Sequence, residues 1–428
     1  MRKHVVVVGG GLAGLAASIY LARGGCTVTV FEKRRYLGGR AITNLRHGYR
    51  FNLGAHAFYR SGPGASVCRE LGIPVRGTRP KPKGLALVGR EEFRLPMHWL
   101  SLLTTSAVSL GGKWELASAL LHIRRHGGSR AGDATLREWL DAHLTDARAK
   151  QMLEALIRLA TYADRANEIS AAFALAQMRV ALRGAIYVDE GWQKIVDSLH
   201  SAAISSGVNF VTSSRVVGVQ HDGSAVQAIE LGGLELEADR MDTQALALPE
   251  ARPEDVEGAR LPAQNVVLAI DPVTAAELTG INDWSAAQPV NVACLDVALR
   301  SLPNPDRVFA LGIDEPLYFS VHSAYAQLTP KGGALIHLIK YTKGEQDEWT
   351  LEALLDRMQP GWRDVLVHRR FLPSMTVSNA LPRPAVPRPS PVTNVRGLYV
   401  AGDWVGEEGM LSDAALASAR AAAKAILG

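Results

Sequence analysis

The sequence predicts an α/β fold with two or three domains, and three observations carry this prediction. Residues 4–31 contain a β-branched segment, a glycine-rich turn, an Ala/Leu-rich segment and a second β-branched segment, which is the order strand, turn, helix, strand. Helical patterns dominate residues 95–183, whereas strand patterns return after residue 208. The length of 428 residues corresponds to two or three domains of about 100–200 residues each.

Composition and charge exclude several classes of protein. Hydrophobic residues make up 47% and charged residues 21% of the chain, so it is neither disordered nor fibrous and can bury a large core. The 47 Lys and Arg residues against 42 Asp and Glu give a formal net charge of +5. Because the basic residues are scattered, apart from short groups at 33–35 and 124–126, nucleic-acid binding is not indicated.

Cysteine usage indicates the redox setting. Cys26, Cys68 and Cys294 lie far apart and match neither a disulfide framework nor a metal-ligand spacing. The sequence therefore predicts no metal site and a reducing, cytoplasmic setting.

The individual elements are predicted in chain order. Strands at residues 4–8 and 27–31 enclose a helix that ends at Arg23, and helical patterns cover 95–126 and 135–183. Thr135 and Glu138 form a capping box at the start of the second helical stretch. Further strands are predicted at 208–219, 226–231, 265–270, 290–298, 333–341 and 397–401. A helix from about Asp413 to Ile426, with Ser412 as its N-cap, ends the chain.

One uncharged stretch, residues 95–112, is a candidate for membrane contact. It contains a proline, a histidine and five hydroxyl residues, which argue against a membrane-spanning helix. A helix of the core and a helix at a membrane surface are both open interpretations.

A glycine motif follows the first predicted strand. In Gly9-x-Gly11-x-x-Gly14, the first glycine allows a tight turn, the second lets a pyrophosphate approach the backbone, and the third allows close packing of helix on strand. Glu32 ends the second strand, 18 residues after Gly14, where a carboxylate accepts hydrogen bonds from ribose hydroxyls. The motif predicts an adenine dinucleotide, but by itself it does not separate FAD from NAD.

A second group of residues distinguishes FAD from NAD. Leu37-Gly38-Gly39-Arg40 follows Glu32, and FNLGAH (residues 51–56) comes shortly after it. With VVVVGGGLAGLAASIYLA and FEKRRYLGGRA, these segments resemble the extended dinucleotide motif of flavin-containing amine oxidases, protoporphyrinogen oxidases and phytoene desaturases. In that superfamily the glycines and the arginine after the acidic residue bind the FAD diphosphate.

The C-terminal part of the sequence carries a second resemblance. Residues 397–403 (GLYVAGD) resemble the second FAD segment of the superfamily, where the aspartate meets the ribityl-diphosphate part. The helix that follows points its N-terminus at the flavin pyrimidine ring, where its dipole stabilises negative charge. Residues 191–216 and 265–272 resemble middle segments of the superfamily, in which a valine contacts the adenine.

The resemblance implies a set of cofactor-binding residues. FAD is expected to be non-covalent, because no cysteine lies where a covalent link to the flavin is expected. The predicted contacts are Gly9, Gly11, Leu12, Ala13, Gly14, Glu32, Lys33, Gly38, Gly39, Arg40, Gly54, Ala55, Val216, Gly402, Asp403, Met410 and Leu411.

The resemblance also implies a domain arrangement, the GR2-type flavoprotein fold. It consists of a Rossmann-like FAD-binding domain, assembled from residues 1–75, 185–275 and 390–428, with an inserted α+β substrate domain. The inserted domain comprises residues 76–184 and 276–389, with a helical part at about 95–184. In protoporphyrinogen oxidases and phytoene desaturases a helical, apolar segment at this position touches membranes and admits lipophilic substrates.

The implied function is FAD-dependent oxidation, with hydride transfer from a hydrophobic or ring-bearing small molecule to flavin N5. Oxygen, a quinone or another carrier is the expected electron acceptor. Residues 290–300 contain no lysine, although amine oxidases typically have one near N5 on this strand, and Asn52 and Ala419 also depart from the superfamily pattern. A flavin-dependent isomerase that performs no net oxidation, and a flavin-free escort protein of the same fold, are the alternatives.

Catalytic residues are harder to predict. His56, Tyr59 and Trp404 follow the flavin motifs and are the candidates to face a substrate, with His56 as a general base.

Overall fold

The structure is a computed structural model that describes residues 2–232, 258–342, 344 and 346–428. The α-helices in these residues are α1 (Leu12–Arg23), α2 (Pro63–Leu71), α3 (Trp99–Thr104), α4 (Leu110–His126), α5 (Leu136–His143), α6 (Ala147–Thr161), α7 (Ala171–Leu182), α8 (Gln193–Ser205), α9 (Pro272–Thr279), α10 (Asp347–Met358) and α11 (Leu411–Leu427). The strands are β1 (His4–Val8), β2 (Thr27–Phe31), β3 (Thr43–Arg46), β4 (Tyr49–Asn52), β5 (Phe58–Tyr59), β6 (Gly77–Thr78), β7 (Leu85–Val88), β8 (Glu91–Arg94), β9 (Ala185–Val188), β10 (Asn209–Val211), β11 (Val216–His221), β12 (Val226–Leu231), β13 (Arg260–Pro262), β14 (Val266–Leu268), β15 (Val290–Leu299), β16 (Phe309–Gly312), β17 (Leu317–Val321), β18 (Ala334–Lys340), β19 (Leu366–Ser378) and β20 (Leu398–Val400).

Five parallel strands form the first sheet, in the order β10-β2-β1-β14-β20. Helices α1, α2, α8 and α11 cover one face, against Val5 and Val7 of β1. The three-stranded sheet β11-β12-β13 and helix α9 cover the other face, against Val6 and Val8. The run of valines follows from this arrangement, because a strand covered on both faces is apolar at consecutive positions.

The second sheet has seven strands, in the order β19-β15-β18-β17-β16-β7-β8. Its neighbours are antiparallel, except β16 and β7. On β15, Leu295 and Val297 pack against α10, whereas Val292 and Cys294 face the helices α4–α7. The predicted α/β fold, a parallel Rossmann-like sheet with a further α+β part, is confirmed. Residues 233–257 of the predicted segment 185–275 lie outside the described residues.

The helical stretches are divided more finely than predicted. Residues 95–126 form two helices, and each begins at a side-chain cap: His98 accepts from the Ser101 amide of α3, and Ser109 accepts from the Gly112 amide of α4. Residues 135–183 form α5, α6 and α7, and the predicted capping box of Thr135 and Glu138 is present. Within the described ranges, no helix is both long and apolar enough to cross a membrane.

The predicted strand at 208–219 is wrong as a single element. The chain forms β10 in the parallel sheet and then β11 in the three-stranded sheet. Between them Ser213 adopts a left-handed φ of 51°, and the Ser214 amide donates to the Glu32 carbonyl at 3.0 Å. These contacts turn the chain out of the parallel sheet.

The start of the last helix also differs from the prediction. Helix α11 begins at Leu411 with Met410 at the N-cap position, so Ser412 is not its cap, and no side chain caps it. The Asp413 carboxylate instead accepts from the Gly64 amide in the first turn of α2, at 2.9 Å.

Candidate cofactor and substrate site

The glycine turn between β1 and α1 forms an open cradle. Gly9 has a φ of +104°, and a Cβ added there would lie 2.6 Å from the Ala269 carbonyl oxygen. A Cβ added at Gly14 would lie 1.9 Å from the Gly9 carbonyl oxygen. A Cβ at Gly11, in contrast, would meet no atom within 4 Å. Two of the glycines therefore serve close packing, whereas Gly11 borders open space that a pyrophosphate can enter.

Backbone amides fix the carboxylate of Glu32 beside this cradle. Oε2 accepts from the Gly10 amide at 2.7 Å, and Oε1 accepts from the Arg34 amide at 3.0 Å. Burial raises the pKa of Glu32, and the two amide donors act against this rise. Each carboxylate oxygen has a further lone pair, so Glu32 can still accept hydrogen bonds from ribose hydroxyls. Lys33, the next predicted contact, is exposed.

The second glycine pair lies against the first. The Gly38 amide donates to the Gly10 carbonyl at 2.9 Å, and Gly38 forms an isolated bridge with Gly11. Gly39 begins a 3-10 turn that carries Arg40. The structure therefore brings the two N-terminal motifs together around one space.

Arg40 joins these motifs to the C-terminal segment. Its Nη2 lies 2.8 Å from Oδ2 of Asp403, and the Arg40 side chain remains 43% exposed whereas Asp403 is 2% exposed. Asn379 supplies two more donors to the Asp403 carboxylate, from its amide at 3.0 Å and its Nδ2 at 2.9 Å. Because Asp403 is satisfied by protein groups, it holds Arg40 in place, and the exposed guanidinium retains donors for an anion.

Two helices begin at this site without a side-chain cap. Helix α1 begins directly after Gly11 with Leu12 and Ala13, and α11 begins with Leu411, with Met410 at the N-cap position. Their first-turn amides and positive dipole ends are suited to negative charge. Nearby, Gly402 is fixed by the Ser418 hydroxyl, which bonds both to its amide and to its carbonyl at 2.9 Å.

The segment from Asn52 to His56 is held by its carbonyl oxygens. The Asn52 carbonyl accepts from the Arg370 guanidinium, and the Ala55 carbonyl accepts from the Tyr162 hydroxyl at 2.9 Å. The Gly54 carbonyl accepts from Nδ1 of His56 at 3.1 Å. Arg370 of β19 and Tyr162, which directly follows α6, therefore position the segment that carries the predicted contacts Gly54 and Ala55.

His56 has the properties of a neutral base. Because a carbonyl oxygen only accepts, its Nδ1 must carry the proton, and Nε2 then carries a free lone pair. Burial lowers the pKa of His56 to about 4, so the ring is uncharged at neutral pH. Its ring packs edge-on against Trp192, with the centroids 5.0 Å apart.

Three tyrosines, Tyr59, Tyr162 and Tyr341, form a wall beside the segment from Asn52 to His56. The Tyr59 hydroxyl donates to the Ala160 carbonyl at 3.1 Å, and the Tyr341 hydroxyl is buried with no hydrogen-bond partner. The rings of Tyr162 and Tyr341 lie 6.3 Å apart. Burial raises the pKa of all three phenols, so they stay protonated at neutral pH. Tyr59, a predicted substrate-facing residue, is thus a buried wall residue whose hydroxyl is already bonded.

The prediction that Trp404 faces a substrate is wrong. Its side chain is 1% exposed, its Nε1 donates to the Ile270 carbonyl at 2.9 Å, and it packs against Trp284 on the β11-β12-β13 side of the parallel sheet. The backbone after Asp403 turns this side chain into the core. Val216 lies in the same apolar cluster, at the start of β11.

A buried charged row crosses the second sheet and was not predicted from the sequence. Asp296 on β15 lies opposite His337 on β18 and Arg370 on β19, and its Oδ1 lies 2.5 Å from Nδ1 of His337. Arg370 binds Oδ2 with its Nε at 3.1 Å, and the Cys294 thiol donates to Oδ1 at 3.2 Å. These partners hold the pKa of Asp296 well below its usual range despite complete burial. Because ionised Asp296 only accepts hydrogen bonds, Nδ1 of His337 must carry a proton. Nε2 of His337 is buried with no hydrogen-bond partner.

Comparison with known proteins first gives the class of the N-terminal part. Residues 7–71 match the family described as NAD(P)-binding Rossmann-like domain. Over 54 residues the chain is 39% identical to 4,4'-diaponeurosporene oxygenase of Staphylococcus aureus. This alignment covers 13% of the chain and only 11% of that enzyme, so the likeness concerns a small part of both chains.

Solved structures then extend the likeness to nearly the whole chain. An oxidoreductase from Methanosarcina mazei superposes with a TM-score of 0.74 at 17% identity, covering 98% of this chain and 99% of that chain. Cyclohexylamine oxidase from Brevibacterium oxydans IH-35A gives a TM-score of 0.71 at 15% identity, over 100% of this chain and 99% of that chain. A putrescine oxidase with bound putrescine gives 0.70 at 15% identity over all of both chains. The fold is therefore that of amine oxidases over its full length, as the resemblance implied.

Proposed function

We propose that the protein binds FAD non-covalently and is an FAD-dependent oxidoreductase. The observation that carries the proposal is the ion pair of Arg40 and Asp403, which joins the two segments that resemble FAD-binding motifs. The residues present fit the cofactor: Gly11 borders open space, Glu32 keeps free lone pairs, and Arg40 keeps free donors. We further propose that residues 1–75, 185–275 and 390–428 form the FAD-binding domain, and that 76–184 and 276–389 form the substrate domain.

The substrate proposed is a hydrophobic or ring-bearing small molecule. Bound FAD supplies a hydride acceptor at its N5 atom. The chain supplies an uncharged His56, whose Nε2 lone pair can take the proton that a substrate heteroatom or carbon loses. Phe173, Leu372 and Met375 are partly buried and pack against the apolar cluster that contains Ala55. Oxygen, a quinone or another carrier is proposed as the final acceptor.

The direct test is an absorbance spectrum of the purified protein, followed by anaerobic addition of lipophilic and ring-bearing compounds. We expect flavin bands, and bleaching of these bands by one compound. Bands that persist while a product forms would favour the isomerase alternative. The absence of flavin after FAD is added would contradict the proposal and favour a flavin-free escort protein.

Glu32→Ala tests the ribose contact. Loss of a hydrogen bond to a charged acceptor weakens binding by roughly tenfold or more, so we expect the FAD dissociation constant to rise by that factor. Glu91→Ala, at an exposed residue of β8, is the matched control. An unchanged flavin occupancy of the Glu32 variant would contradict the contact.

We also propose that α3 and the start of α4 contact a membrane surface. Trp99, Leu103, Leu110 and Trp114 are 68%, 59%, 84% and 76% exposed, respectively. Large apolar and aromatic side chains exposed together on adjacent helices are typical of an interfacial contact.

In flotation assays with phosphatidylcholine–phosphatidylglycerol vesicles, we expect the protein to float and the double variant Trp99→Ser, Trp114→Ser to stay in the pellet fraction. Trp349→Ser on α10, where the tryptophan is 79% exposed, is the control. A wild-type protein that does not float would contradict this contact.

A further inference from the structure

Arg388 is a buried arginine in the proline-rich connector before β20. It is 8% exposed, its Nη1 donates to the Asp403 carbonyl at 3.1 Å, and its Nη2 donates to the Gly409 carbonyl at 2.8 Å. The guanidinium therefore ties together the two ends of the segment 403–409, which leads directly into α11. Phe173 of α7 covers the guanidinium, with Cζ 4.5 Å from the ring centroid.

The positive charge of Arg388 has no partner of its own. In the part of the chain that the structure describes, it forms no ion pair, and its Nε is buried without a hydrogen-bond partner. The acidic groups that act on it are Asp403, whose carboxylate is bound by Arg40 and Asn379, and the exposed Glu407. Burial lowers the pKa of Arg388 to about 10, so it stays protonated at neutral pH.

Arg388 therefore leaves a positive charge beside Asp403 that no carboxylate binds. Arg40 binds the Asp403 carboxylate, Arg388 binds the Asp403 carbonyl, and the uncapped N-terminus of the long helix α11 adds the positive end of its dipole. Burial raises the pKa of Asp413, in the first turn of α11, to about 7, which reduces its negative charge at neutral pH. A buried charge without a partner is costly, because it has lost its hydration. An anionic ligand at this place would balance it.

We propose that Arg388 is a positioning residue that holds the segment 403–409 at the flavin ring and stabilises the negative charge of the reduced ring. This inference rests on the proposed FAD function. A hydride brings two electrons and one proton to the flavin, so the ring gains one negative charge on reduction. Gly409 directly precedes Met410 and Leu411, which the resemblance places at the pyrimidine ring, whereas Arg40 belongs to the diphosphate segment. Arg388 therefore balances the ring and not the diphosphate.

The test compares the midpoint potential of bound FAD in the wild type, Arg388→Gln and Arg388→Lys. Glutamine keeps a donor but removes the charge, so we expect the equilibrium between reduced and oxidised flavin to shift about tenfold toward the oxidised form. For a two-electron couple this shift is about 30 mV. The lysine variant keeps the charge but loses the two-pronged hydrogen bonding and the ring stacking of the guanidinium, so we expect a smaller shift than in Arg388→Gln. The dissociation constant of oxidised FAD, titrated in the same buffer, is expected to change by a smaller factor than the tenfold shift of the reduction equilibrium.

Several outcomes would overturn this inference. An unchanged potential in Arg388→Gln would show that the charge of Arg388 does not stabilise the reduced flavin. Equal shifts of the potential in both variants would show that Arg388 acts only through its hydrogen bonds. Weaker FAD binding with an unchanged potential would show that the charge of Arg388 acts on the diphosphate of FAD and not on its ring. A wild-type protein that binds no FAD would instead refute the proposed function.

Phe173→Leu keeps the inference testable if Arg388→Gln does not fold. This variant leaves the hydrogen bonds of Arg388 in place but lets water screen its charge, so we expect a shift of about threefold in the same direction. A shift in the opposite direction would contradict the role of the buried charge.

Discussion

Two buried aspartates each pair with an arginine, but the two Asp–Arg pairs differ in how much the protein covers them. Asp403 is 2% exposed and pairs with Arg40, whereas Asp296 is fully buried and pairs with Arg370. Arg40 is 43% exposed and keeps free donors, but Arg370 is 19% exposed and also binds the Asn52 carbonyl. The Asp403 pair is open to a ligand, whereas the Asp296 pair is closed by the protein.

The difference teaches how the site is built. Beside Asp403, Arg40 binds the carboxylate, and Arg388 has no carboxylate of its own, which suits an anionic cofactor. Around Asp296 one guanidinium balances one carboxylate, and His337 completes the row. The closed row anchors the segment from Asn52 to His56 to the second sheet. The Asp403 network is the one proposed to bind the cofactor, whereas the Asp296 network positions the neighbouring loop.

Arg370→Ala and Arg40→Ala give the largest expected contrast. Removing Arg370 leaves Asp296 buried and without its cation, so we expect the free energy of unfolding to fall by about 3–5 kcal/mol. Removing Arg40 leaves Asp403 with both donors of Asn379, so we expect a loss of about 1 kcal/mol or less. Urea unfolding of both variants measures the difference, and equal losses would show that the two networks do not differ in this way.

Gly14→Ala and Gly11→Ala separate packing from ligand access within the cradle. A Cβ at Gly14 would collide with the Gly9 carbonyl at 1.9 Å, so we expect a loss of roughly 2–3 kcal/mol in the free energy of unfolding. Gly11 has an extended backbone, with φ −78° and ψ −174°, and open space at the Cβ position. Gly11→Ala is therefore expected to change stability by less than about 0.5 kcal/mol. A Gly14 variant as stable as the Gly11 variant would refute the packing role.

His56 gives a smaller, pH-dependent effect on stability. Its pKa is about 4 in the folded protein and about 6.5 in the unfolded chain, so the unfolded chain binds the proton first as the pH falls. Stability that is complete above pH 6.5 should decrease toward pH 4. Between pH 7.5 and pH 5 we expect the wild type to lose about 1–2 kcal/mol more than His56→Leu does.

His4→Gln controls this comparison, because His4 is exposed. Identical pH dependence of the wild type and His56→Leu would mean that His56 titrates normally in the folded protein. It would then carry charge near neutral pH and would no longer be a neutral base.

The arrangement of the proposed cofactor cradle was predictable because its residues are local in sequence. The glycines, Glu32 and Arg40 belong to one strand–turn–helix unit and the loop after it, and Asp403 belongs to a short motif with its own resemblance. Asn379 and Arg388 could not be predicted, because Asn379 directly follows β19 and Arg388 lies among the prolines of residues 381–392. Neither position belongs to a local pattern that points to Asp403. The direction of Trp404 was also hidden, since it depends on the backbone turn after Asp403.

The closed row of Asp296 could not be predicted for a different reason. His337 is 41 residues and Arg370 is 74 residues away from Asp296 in sequence. They meet only because β15, β18 and β19 pair in one particular register. No local pattern specifies that register, and a lone aspartate in an apolar strand does not reveal its partners.

The most direct measurement is a titration of the purified protein and of Gly11→Ala with FAD, followed by flavin fluorescence, with the free energy of unfolding measured for both. The account predicts saturable binding by the wild type and a loss of binding in Gly11→Ala at unchanged stability, because the new methyl group fills the space for the pyrophosphate. Equal FAD binding by the two proteins would contradict the proposed cradle.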